Sequence, residues 1–260
     1  MVMERVTMAM ALAAALWGAA VAAPRPKQAG VVDWTSCYKS EKGERGAKAG
    51  LKAMEDRLKE IGVKAERVSP DIFLPENKAK RDQFQRIVVP SGAEWFSRAI
   101  HEGMNDYVRS GGLLVTNVAM ILEDSDGDYV IGDKDAKTTE YPAKSFVGVH
   151  GQQSARMRRL KALAECPLTR GMKEGVWVEM TEPMAGRNVR NQSAEVVILS
   201  DREMKGRKAS EQPFVTFKHQ QNGACIYLVG QVGELRDPVA RQVFRNVFSG
   251  ETLEWLGLQE

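Results

Sequence analysis

The sequence predicts an α/β fold: a mostly parallel sheet with helices on both faces, an irregular insertion, and an antiparallel hairpin near the C-terminus. Three observations carry that expectation. Short apolar runs alternate with stretches whose apolar residues recur every three or four positions. The connections between them are brief and glycine-rich, as at Pro90-Ser91-Gly92 and Gly111-Gly112. Asn222-Gly223 separates two alternating strands late in the chain.

The chain has 260 residues, of which 43% are hydrophobic and 27% charged, so a packed core is expected and collagen-like or coiled-coil architectures are excluded. A net charge of +3 draws it to neither nucleic acid nor an anionic membrane. The first 22 residues read as a signal peptide: residues 8–23 are apolar apart from Gly18 and end in Ala20-Val21-Ala22-Ala23. Cleavage is expected after Ala22, and it places the mature protein in the periplasm or outside the cell with no membrane attachment. An uncleaved anchor is the other reading of the same segment. In an oxidising compartment two of Cys37, Cys166 and Cys225 can pair, Cys166 with Cys225 being the expected pair; alternatively all three are small buried hydrophobes.

From residue 30 to 260 a single domain is expected. Gly30 to Trp34 forms the first strand. Gly46 to Ile61, with Leu51, Met54, Leu58 and Ile61 on one face and Gly62 as a stop, forms the first helix. Val63 to Val68 alternates apolar and charged residues and reads as an edge strand. Arg86 to Val89 is a buried strand, Trp95 to Val108 a helix and Leu113 to Val118 the next strand. Residues 123–154 break the pattern and read as an irregular insertion. Ala155 to Ala164 is predicted to be helical, with Met157 and Leu160 three apart among arginines. Strands follow at Val176–Met180, Glu195–Leu199, Phe214–Lys218 and Cys225–Val229, then a helix from Pro238 to Phe248.

Four stretches resemble the class I glutamine amidotransferase-like superfamily, in particular its ThuA-like and β-galactosidase trimerisation-like branches. They are Arg86 to Gly92, Tyr107 to Val115, Cys166-Pro167-Leu168-Thr169-Arg170-Gly171-Met172, and Ala224 to Gly230 with the closing Glu254-Trp255-Leu256-Gly257. The resemblance implies a flavodoxin-like sheet. In catalytic members a nucleophilic cysteine sits on an elbow after the strand that follows Gly-Gly, with a histidine near the last strand. Here the elbow reads Thr116-Asn117-Val118-Ala119-Met120 and the later segment Gly230-Gln231-Val232-Gly233-Glu234. Gln231 cannot exchange a proton near neutral pH, so the amidotransferase mechanism is not expected.

Three function classes follow: a non-catalytic exported module that binds a small molecule, a carbohydrate or another exported protein; a ThuA-like hydrolase or carbohydrate-processing enzyme using carboxylates; and a homo-oligomerisation domain. Because such sheets bind ligands at the carboxyl ends of their strands, the binding candidates are Trp34, Cys37, Ser91, Gly92, Asn117 and Gln231. The catalytic candidates are Asp33, Glu94 and Glu234. His101 reads as a surface residue, and His150 and His219 lack metal-ligand spacing. Asp124, Asp126 and Asp128 read as a solvated acidic turn or an incomplete calcium loop. No cofactor, metal or nucleic acid is expected.

Overall fold

The computed structural model describes residues 28–37, 41–90, 97–117, 145–191, 193–201, 211–229 and 236–258. The signal segment, the acidic run from Asp124 to Asp135, and the candidates Ser91, Gly92, Glu94, Gln231 and Glu234 lie outside them.

Nine strands form one mixed sheet in the order β2-β1-β3-β4-β9-β8-β7-β5-β6. The first five in this order, β2 (Lys64–Val68), β1 (Gln28–Val32), β3 (Arg86–Val89), β4 (Leu113–Thr116) and β9 (Gly223–Leu228), pair in parallel. The pairings from β9 through β8 (Gln212–Gln220), β7 (Glu195–Ser200), β5 (Val149–Ala162) and β6 (Trp177–Asn191) are antiparallel. The expected hairpin is therefore one end of a larger antiparallel half.

Helix α1 (Glu41–Glu60) buries Ala47, Leu51, Met54 and Leu58 on one stripe, and acids in its first turn and bases in its last oppose the peptide dipoles. Each fully buried Leu or Met contributes about 1.5–3 kcal/mol. The helix stops at Gly62, whose φ of 76° suits glycine. A four-residue turn of helix, α2 (Lys78–Arg81), follows. Its Arg81, 1% exposed, donates to the carbonyls of Phe73 and Gly103 and pairs with Asp106, tying this segment to α3 (Arg98–Arg109). Passage from β1 to β2 and from β3 to β4 runs in opposite directions along the sheet, so right-handed crossovers put α1 and α3 on opposite faces. Helix α4 (Pro238–Val247) shares the α1 face, where Arg86 satisfies its C-terminal end by donating to the Phe248 carbonyl at 2.7 Å. Helix α5 (Gly250–Trp255) closes the chain, Trp255 meeting Phe217 edge-on at 4.6 Å.

Three expectations are corrected. Residues 155–162 belong to β5 and form no helix. Met157 and Leu160 both face the core because Arg158 and Arg159 both turn outward at an irregularity in the ladder, which converts a period of two into an apparent spacing of three. Asp201 accepts the Arg158 and Arg159 amides at 2.8 Å each and so supports that irregularity. Burial opposes its ionisation, but these amides and the Arg159 guanidinium hold its carboxyl below the ordinary range. Secondly, the 123–154 insertion is regular from Val149 onward, where polar residues pair with the end of β6 and leave no apolar pattern to read. Thirdly, Cys166 and Cys225 are free; Cys225 is buried in β9, and burial pushes its thiol far above the usual range.

Asn222-Gly223 also works differently from its sequence signature. The turn itself is Gln221-Asn222, with Gln221 at φ 56°, and Gly223 already pairs with Gln220. Gly223 is required by packing: a Cβ there would stand 2.0 Å from the Val108 carbonyl oxygen and 2.5 Å from that of Gly112.

Both sheet edges are blunted. β2 is short and carries Lys64, Glu66 and Arg67, with Glu66 held by Gln28 at 2.8 Å. On β6 the pairing with β5 is interrupted between Glu179 and Met184, a stretch that includes Pro183. There Asp237, the N-cap of α4 and 3% exposed, accepts from the Thr181 amide at 2.6 Å and its hydroxyl at 2.8 Å, and also from Val239 and Ala240. Burial opposes the Asp237 charge, yet these donors outweigh it and hold the carboxyl below its ordinary range.

Three outcomes follow. Gly223→Ala costs about 3 kcal/mol in a denaturant melt, whereas Gly46→Ala, at an exposed helical site with nothing within 4 Å, gains about 0.5–1 kcal/mol. Asp237→Asn costs about 2 kcal/mol at pH 7. Because the folded-state carboxyl titrates below its unfolded value, that difference is whole above about pH 4 and closes as the pH falls through the folded value; urea melts from pH 7 to 3 check it. Cys225 stays unlabelled by a thiol reagent in the native protein and labels on unfolding, which mass spectrometry of the modified peptides resolves.

Candidate functional site

The carboxyl ends of β1, β3, β4 and β9 lie along one edge of the parallel half, the edge at which open α/β sheets bind ligands. At β1, Asp33 follows the strand and accepts from the Thr35 amide at 2.9 Å and hydroxyl at 2.7 Å, an Asx-type turn that starts the 3-10 segment Thr35–Cys37. Arg67 approaches the second oxygen of Asp33 to 3.9 Å while its guanidinium forks onto Glu55 at 2.9 and 2.8 Å. One oxygen of this candidate acid thus holds a turn and the other faces a cation.

Trp34 is 4% exposed and packs on α1, where Gly50 leaves room for its ring. Cys37 closes the 3-10 segment. Asn117, half-buried, directly follows β4 and borders a small, partly open depression on the α1 and α4 face, with room for about one water molecule. Met54, Val88, Leu228 and Phe244 make this depression apolar, with Asn117 at its polar rim. The structure therefore places Asp33, Trp34, Cys37 and Asn117 along one edge, and Asn117 alone of these four lines the depression. Among the described residues no group of three or more His, Cys, Asp and Glu side chains converges as a metal site, and no helix is long and apolar enough to cross a membrane.

The opposite face of the same edge holds a polar row that sequence reading missed. Thr116 of β4 stands opposite Tyr227 of β9, and Tyr227 stands opposite Thr216 of β8, so the three side chains share one face. That face is the one under α3, because Gly223, in step with Tyr227, points at the Val108 carbonyl. Climbing from Val108 back to His101 covers about 10 Å of helix, and from Gly223 to Tyr227 about 13 Å of strand, so His101 sits near the level of Tyr227. Asn105 lies one turn below His101. All five are buried: His101 0%, Asn105 1%, Thr116 2%, Thr216 0% and Tyr227 1% exposed. His101 is thus an interior residue, contrary to the surface position expected. The Thr216 hydroxyl has no hydrogen-bond partner among the described residues. Hydroxyl, amide and imidazole groups in this row can donate and accept without carrying a fixed charge. A signal was present in the sequence: His101 and Asn105 are four apart on the helix stripe that also carries Met104 and Val108.

No protein-family profile and no characterised protein sequence matches the chain. Among solved structures it is similar to a catalytic mutant of Gan42B, a GH42 β-galactosidase from G. stearothermophilus, at TM-score 0.54 and 13% identity over 91% of this chain and 31% of that one. The β-galactosidase from Bacillus circulans sp. alkalophilus gives the same score and identity over 92% and 32%. The mmIFT52 N-terminal domain is similar at TM-score 0.53 and 13% identity, over 90% of this chain and 98% of that domain. The chain thus spans about a third of the length of the β-galactosidases. At such identities the likeness is one of fold, and at that level it agrees with the resemblance to the β-galactosidase trimerisation-like branch.

Proposed function

We propose that this chain is an exported, non-catalytic binding module with an amidotransferase-like, flavodoxin-like parallel half, taking a small uncharged ligand at the carboxyl edge of its strands. The observation that supports this reading most is the polar row Thr116–Tyr227–Thr216 on the face under α3, set into a sheet whose other buried central positions are mostly apolar. Burying an unpartnered hydroxyl such as that of Thr216 costs about 1–3 kcal/mol, a cost that a ligand hydrogen bond offsets. The row lacks fixed charge, which favours a neutral polyhydroxylated molecule such as a monosaccharide over a phosphate or nucleotide.

A carboxylate-based hydrolase is the weaker reading, because Asp33 is engaged by Thr35 and Arg67. A homo-oligomerisation role is the second reading supported by a specific observation. Leu163 and Val176 are 39% and 44% exposed and are drawn together by the Gly175-to-Ala162 hydrogen bond. With both edges blunted, association would use this surface and not strand addition.

A thermal-shift panel of neutral sugars on the mature protein tests the first reading. A sugar at about 100 times its Kd is expected to raise Tm by about 5 °C or more. Thr216→Val is expected to raise the melting temperature of the empty protein by about 2 °C or more, because it removes an unpartnered buried hydroxyl, and to abolish the sugar's shift. A panel with no shift, or a shift that survives Thr216→Val, overturns the reading. Sedimentation of the mature protein decides the second: a monomer at micromolar concentration excludes it.

A further inference from the structure

We draw no further inference here: the strongest candidate, the surface patch in which Trp255, 38% exposed, rests on Phe217 beside His219 and Glu195, is an aromatic face with nothing in the structure to show what covers it.

Discussion

β9 is the strand on which both halves of the sheet depend. It runs parallel to β4 on one side and antiparallel to β8 on the other, and all six of its residues are buried. The join is possible because Gly223 lets the strand start directly under the end of α3, within reach of the Val108 and Gly112 carbonyls, where any side chain would collide. Gly112 plays a related part on the other side of the contact, leaving space for the Tyr107 ring whose hydroxyl donates to the Phe84 carbonyl. From this contact the alternation along β9 is set, and with it the face on which Tyr227 stands.

The charged groups of the interior mostly hold backbone. Asp237 closes the interrupted edge of β6 while it starts α4, and Asp201 supports the outward turn of Arg158 and Arg159. Arg81 donates to the Phe73 carbonyl at a chain turn and to the Gly103 carbonyl of α3, and Arg86 to a carbonyl at the end of α4. Their energetic weight comes from burial, since breaking one partner leaves the other desolvated and uncompensated.

The candidate site was partly legible in the sequence. That Asp33, Trp34 and Asn117 lie at the carboxyl ends of strands could be read from strand order and the rule for such sheets. That Trp34 packs inward on α1, and that Asp33 holds Thr35, depends on contacts within and beyond the first loop that no periodicity reports. The polar row was hidden because its members come from β4, β9, β8 and α3, and only register aligns Thr116, Tyr227 and Thr216.

Local physics was enough for α1, α3, α4 and the strands β1 to β4, because amphipathic spacing, glycine stops and short apolar runs are properties of contiguous residues. It was also enough for the β8–β9 hairpin, though not for the reason Gly223 is there. Tertiary structure decided that 155–162 is strand and not helix, since partners in β6 and β7 and the support of Asp201 override a spacing of three. It likewise decided the antiparallel half, the free thiols and the interior place of His101. Each of these depends on which residues distant in the chain become neighbours, and burial and register are created only when they do.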